Sequence, residues 1–431
     1  MEALRVYNSD SDSASDAESD TATERTCDSN ECESLLESTI NCSSGNCTTR
    51  SDQHSTQVAL VDNHSDSMKR KQSAGYISRR KSARLVNIQQ ESLSVSSSLS
   101  CISVYLSSTK SLVTDVKQNQ RQRYCTVPSI SYVTFNQHTK PVLGMHWHPS
   151  DDRLLLSCSL DGTVRLWDAL QHKVCIATYK IQDVAVKKVI WITNSTMVSA
   201  GYDHYAFHTD VESGKVLSKM KHNGHVTALA VHPKDSNSIL TGNARSEIHR
   251  WDLRCCKEVT NYKGAGGQIL DILFLKGGDQ FVASSDTVRS SQAINVWDYV
   301  SGVVLSTQVY FEPYSCPCLR LHPTESVFLA QSNANYLTVF SSSKPYRMNK
   351  YKRFEGHSVD GNSVGFDVSS DGSIICTASV NGMIKFYDYL STKTLKSMSL
   401  ATSNTLSVEW HPCLPSTLAV SSWDGQIFCL R

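Results

Sequence analysis

The side chains best suited to chemistry in this 431-residue chain are its 15 histidines and 15 cysteines, and their spacing separates two uses. Cys27, Cys32, Cys42 and Cys47 form a C-x4-C, x9, C-x4-C series. Four thiolates so arranged are a candidate zinc set, because zinc takes four soft ligands in a tetrahedron. Unstructured thiols are nevertheless the expected state. The histidines behave otherwise. His-Pro pairs begin at His148, His232, His322 and His411, and Gly-His pairs end at His225 and His357. A histidine near an acid can work as a general base, but one that returns at a fixed spacing belongs to a scaffold.

Motifs for other chemistry are lacking. The chain has no G-x-S-x-G, no Walker loop and no G-x-G-x-x-G opening a helical period; GAGG at 264–267 reads as a turn. Cys316-Pro-Cys318 and Cys255-Cys256 have too few neighbouring histidines for a metal. No catalytic residue, cofactor, metal or small-molecule substrate is expected.

The elements that hold these residues repeat. The segment 141–168, PVLGMHWHPSDDRLLLSCSLDGTVRLWD, contains β-prone runs at Val142–Trp147 and Leu154–Ser159, a His-Pro stop after the first, and Asp161-Gly162 as the tight turn before Thr163 to Trp167. Lys173 to Tyr179 supplies a fourth run. Similar endings recur at Asp168, Asp210, Asp252, Asp298, Ser341, Asp388 and Arg431, spaced 42, 42, 46, 43, 47 and 43 residues apart. A period of about 40 to 45 is that of one four-stranded propeller blade, so seven endings predict seven blades over 127–431. The last repeat reaches Arg431 just after its third strand, and Ile130 to Phe135 precedes the first repeat without a blade of its own. It is expected to supply the missing outer strand and close the ring, removing its unpaired edges.

Residues 1–125 read differently. All seven Trp lie at or after Trp147 and the first Phe is Phe135. Residues 1–40 carry eleven acids against Arg5 and Arg25, a net of −9, and nine of the eighteen residues from Glu91 to Ser108 are Ser. Self-repulsion and low apolar content predict a disordered tail. There is no run of eighteen apolar residues and no basic n-region with an apolar h-region, so neither a membrane span nor secretion is expected. The sequons at Asn41 and Asn46 are then unused and the cysteines reduced. Within the tail, Lys69, Arg70, Lys71 and Arg79, Arg80, Lys81 form two basic clusters suited to nuclear import, and Ser9, Ser13 and Ser15 each precede an acid by three residues, as acidophilic kinases favour. Nuclear localisation is expected, with the cytoplasm left open.

On the repeat period and the Trp-Asp endings, residues 128–431 resemble the WD-repeat family. That resemblance implies an all-β fold, a seven-bladed WD40 β-propeller preceded by the disordered N-terminal tail. It also implies a hydrogen-bonded network inside each blade, for which His138, Ser157 or Ser159, Asp161 and Trp167 match best, with His225, Trp251, Trp297 and His357 as counterparts. Blades two and five are degenerate, with Thr209-Asp210 and Phe340-Ser341 where Trp-Asp would stand. FEPYSCPCLRLHP (311–323), PYRMNKYKRFEGH (345–357), VGFDVSSDGSIICTASVNGMIKFYDY (364–389) and VEWHPCLPSTLAVSSWDG (408–425) resemble, within the family, the spliceosomal group that includes pre-mRNA-processing factor 17. This implies a non-enzymatic protein–protein scaffold in a nuclear ribonucleoprotein, with any RNA association indirect.

Two other partner classes stay open. Trp251-Asp252-Leu253-Arg254 resembles the W-D-x-R motif by which some WD proteins dock on a cullin-RING ligase adaptor, Arg254 being placed to pair with a partner carboxylate. Lys344, Arg347, Lys350, Lys352 and Arg353, interleaved with Tyr346 and Tyr351, suit direct RNA or an acidic peptide. The propeller itself carries 28 basic and 25 acidic residues, so no global basic field supports the RNA reading.

Overall fold

The computed structural model describes residues 124–129, 131–263, 266–287, 293–307, 309–400 and 403–431. Twenty-eight strands and no helix occur among them, and they form seven four-stranded antiparallel sheets. Blade 1 runs through Val142–Trp147, Leu154–Ser159, Val164–Asp168 and Val174–Tyr179. Its tight turn needs Gly162 at a φ of 79°, where a side chain would be strained. Blades 2 to 6 occupy 186–221, 226–263, 269–306, 318–355 and 366–399, and blade 7 takes 405–430. The third strands end at Asp168, Asp210, Asp252, Asp298, Ser341 and Asp388, where the repeat placed them, and at Leu430 in blade 7.

Sandwiched sheets explain the burial along each blade. The second strand of blade 1 is buried at all six positions, because both its faces meet neighbouring blades, whereas only two of six are buried in the outermost strand. The apolar core is therefore divided into seven layers, each between consecutive blades. One joins Leu156 and Leu166 of blade 1 to Val189 and Trp191 of blade 2, and the last joins Ala419 and Ile427 of blade 7 to Trp147 and Trp167 of blade 1. The innermost strands touch their neighbours in sequence around the ring, and that of blade 7 touches blade 1.

Closure comes from the other end of the chain. Ser131–Phe135 pairs antiparallel with Ile427–Leu430, Thr134 facing Phe428 and Phe135 facing Ile427, as the fourth strand of blade 7. The residues just before it also pack, which moves the expected start of the folded part from residue 127 to Cys125. Cys125 is buried in the layer between blades 6 and 7, and its backbone N–H donates to Asp371 at 2.8 Å. The Thr126 N–H donates to Ser416 Oγ at 2.8 Å, and Lys396 Nζ to the Pro128 carbonyl at 3.2 Å.

His148, His322 and His411 of the His-Pro pairs are clips between blades. His148 Nδ1 accepts the N–H groups of Ser150 and Asp151, folding its own turn, while Nε2 donates to the Asn194 carbonyl of blade 2 at 3.0 Å. His322 reaches Gly372 of blade 6, and His411 reaches Asp152 of blade 1 across the seam at 2.8 Å.

Candidate interaction surfaces

The network expected inside a blade is complete in blade 1. Trp167 Nε1 donates to Ser157 Oγ at 2.8 Å, Ser157 Oγ lies 2.8 Å from His138 Nε2, and His138 Nδ1 faces Asp161 Oδ2 at 2.8 Å. The carboxylate facing Nδ1 places the proton there, so Nε2 accepts from the serine hydroxyl. Burial alone would raise the Asp161 pKa, but hydrogen bonds from His138 and Thr163 outweigh it and hold the carboxyl well below its usual range. Of the two candidate serines, Ser157 is the partner; Ser159 bonds the Lys140 carbonyl and the Asp161 N–H instead.

Other blades keep the position and change the chemistry. In blade 3 the ring is His222, not His225: His222 Nε2 lies 2.8 Å from Thr241 Oγ1, which also accepts from Trp251 Nε1 at 3.0 Å. His222 stands as far before His232 as His138 before His148, whereas His225 is exposed and donates to the Tyr202 carbonyl. In blade 2 the same position holds Gln182, whose amide reaches Asp203 at 3.1 Å. In blade 6 the His357 ring meets the Tyr387 hydroxyl at 3.1 Å. Trp297 in blade 4 has no hydrogen-bond partner for Nε1 among the described residues and stacks on Phe281. Blade 5 has Glu312 at this position; it bonds Tyr336 and Arg353, while Tyr310 bonds Ser332 Oγ at 2.8 Å and Tyr336 at 2.6 Å. These imidazoles and carboxyls are consumed by the scaffold.

Inside the ring runs a chain of ion pairs that sequence reading missed. Arg320 on the innermost strand of blade 5 reaches Glu409 of blade 7 at 2.9 Å, Asp367 of blade 6 at 3.6 Å and Asp271 of blade 4 at 3.9 Å. Asp271 in turn meets Lys188 of blade 2 at 3.4 Å. Burial, then Glu409, raise the Asp367 pKa against the pull of Arg320. The only signal was a lone charge inside each apolar run, as in ILDILF (269–274) and CLRL (318–321). The protein's own charged side chains thus link the innermost strands of blades 2, 4, 5, 6 and 7.

The meander order sends the turns between second and third strands, and the connections between blades, to one face. On it Tyr202, Phe311, Tyr314 and Trp423 are exposed, Phe311 by 72%. A cleft of about 440 Å³ opens there, lined by Asn335, Tyr336, His357 and Asn381 among others. On the opposite face lie Val300, Leu390 and the turn bearing Arg254.

The two sequence-derived partner sites are altered by their surroundings. Arg254 is exposed, yet its guanidinium already grips both oxygens of Asp252 at 3.1 and 3.2 Å and lies 3.7 Å from Asp235, so it is not a free arginine awaiting a carboxylate. In the basic stretch, Tyr346 is buried with its hydroxyl on Gln280, Lys352 sits over the Tyr389 ring and Arg353 over Tyr336. Lys344, Arg347, Lys350 and Tyr351 stay exposed. The import clusters at Lys69, Arg70, Lys71, Arg79, Arg80 and Lys81, the acidic phosphorylation pattern and the Cys27–Cys47 series lie outside the described residues.

Seven four-stranded sheets closed on themselves by a borrowed strand, with an internal clasp at a repeated position, define a β-propeller of WD40 repeats. The family described as WD domain, G-beta repeat matches residues 130–168 and 348–388, so each matched repeat begins with the outer strand of one blade and ends with the third strand of the next. The chain is similar to WD repeat-containing protein 25 of Mus musculus, 38% identical over 72% of this chain and 59% of that protein. It is also similar to pre-mRNA-processing factor 17 of Homo sapiens, 28% identical over 70% of this chain and 52% of the relative, and of Saccharomyces cerevisiae, 23% identical over 73% and 69%. The matched region thus spans between about half and three fifths of the first two relatives.

Proposed function

We propose that this chain is a non-enzymatic protein–protein interaction scaffold of a nuclear pre-mRNA-processing ribonucleoprotein. The propeller, from Cys125 onward, binds proteins through the face carrying Tyr202, Phe311, Tyr314 and Trp423, and residues before it form an acidic, Ser-rich tail with the import signal at 69–84. The observation that carries this reading is the use of the chemistry-bearing residues: the histidines and acids of blades 1 and 3 and the ion chain of the channel serve the fold, leaving exposed aromatics on loops of a rigid ring. Similarity across the propeller to proteins named pre-mRNA-processing factor supports the setting. The ligase-receptor reading is weaker, because binding a partner carboxylate would first require Arg254 to leave Asp252.

The test is affinity purification of the tagged chain from nuclear extract with and without ribonuclease, read by mass spectrometry. Spliceosomal proteins retained after ribonuclease support the scaffold. Recovery of ligase adaptors without them overturns it.

A further inference from the structure

Each blade kinks at one place on its outer strand. Between two positions of the third strand, the outer strand inserts a single extra residue: Ile176, Leu217, Val259, Leu305, Leu395 and, in blade 7, Tyr132. All six are apolar or aromatic. Blade 5 departs from this. Thr338 faces Arg353 and Val339 faces Asn349, so three residues, Lys350, Tyr351 and Lys352, are thrown out where the other blades extrude one.

The enlarged bulge is held open by its own bonds. Lys352 Nζ lies 3.3 Å from the centre of the Tyr389 ring of blade 6, and Arg353 stacks 4.5 Å from that of Tyr336 while pairing with Glu312. Asn349 Oδ1 accepts the Tyr351 N–H at 3.1 Å, and upstream the buried Tyr346 bonds Gln280 at 2.8 Å. With its base pinned at both ends, the tip projects: Tyr351 is 99% exposed, and Lys350 and Arg347 beside it are exposed without an ion pair among the described residues. Lys344 lies near enough to Asp298 of blade 4 to stabilise its carboxylate.

We propose that this bulge is a contact site for single-stranded RNA, one base stacking on Tyr351 and the flanking phosphates lying against Lys350 and Arg347. An acidic protein segment would use the cations but gain little from a wholly exposed ring, whereas a nucleotide uses both, and base–aromatic stacking tolerates any base. The site goes beyond the protein-binding reading and does not depend on it.

Fluorescence anisotropy of the full chain with a labelled oligouridylate of about ten nucleotides tests it. Tyr351→Ala is expected to weaken binding roughly 5- to 100-fold, as the loss of one stacked base does. Tyr351→Phe keeps the ring and should stay within about twofold of the parent. Lys350→Glu with Arg347→Glu should weaken binding and flatten its salt dependence. All these side chains are exposed, so thermal melting should be unchanged and serves as the folding control. The proposal is overturned if the parent chain does not bind the oligonucleotide, if Tyr351→Ala binds as tightly as the parent, or if polyglutamate binds through Lys350 and Arg347 where the oligonucleotide does not.

Discussion

Blades 1 and 5 solve one packing problem with different residues. In each, the segment arriving from the preceding blade must be tied to the end of the hairpin it crosses, under apolar layers where an unpaired polar group is costly. Blade 1 does so with Asp161, His138, Ser157 and the Trp167 indole; blade 5, with Phe340 at the position of Trp167, uses Glu312, Tyr336, Tyr310 and Ser332. The comparison teaches that blades of one ring can build a satisfied clasp at that place from different chemistry. Loss of the Trp-Asp ending in blade 5 is therefore a substitution, and its outer edge is where the blade gained its bulge.

The largest perturbation falls on blade 1. Trp167 is fully buried, so Trp167→Ala should cost about 3–5 kcal/mol in urea unfolding, whereas Trp167→Phe, which gives blade 1 the ring blade 5 already has, should cost clearly less. Equal losses would mean that the indole hydrogen bond carries the effect alone. Next comes pH. Burial holds His222, His357 and His411 down to about 4, while the unfolded chain titrates near the ordinary 6.5. Below 6.5 the unfolded state takes up protons the native state refuses, so stability is full above that pH and falls between 6.5 and about 4, by about 2 kcal/mol for each of the three at pH 5. An unchanged urea midpoint between pH 7 and pH 5 would remove these clasps from the account. Asp161→Ala strands the His138 N–H and should cost about 1–3 kcal/mol. Tyr310→Phe should cost about 1 kcal/mol, because Tyr336 keeps Glu312 and Ser332 keeps the Ala334 N–H. Should it cost more than Asp161→Ala, the clasp of blade 5 is the tighter of the two. Arg254→Ala, on the exposed turn of blade 3, should leave the melting transition where it was.

The blades were legible because their signals are local and keep one period: a β-run and a third-strand ending every 40-odd residues, with a His-Pro stop, an Asp-Gly turn or a Trp-Asp pair in several of them. The seam was legible by subtraction, from an orphan strand and a blade one strand short. Sequence reading failed where position mattered more than spelling. The pair Gly224-His225 spells the motif, yet the chain reaches the clasp three residues earlier, at His222. The ion chain was invisible because Lys188, Asp271, Arg320 and Glu409 become neighbours only once the ring is closed. Tyr346, read as a stacking ring, is buried in the apolar layer between blades 4 and 5 with its hydroxyl on Gln280.

The seam also sets a clock. Ser131 pairs with Leu430, so the first strand of the propeller waits for its last. At about 5–20 residues per second of synthesis, that interval lasts on the order of 15–60 s, during which Ser131–Phe135 has no partner from its own chain and the blade interfaces accumulate as an open arc. Ring closure is then the last step in assembling the propeller, and the nascent chain approaches it with both edges unpaired, the period in which a chaperone has most to shield.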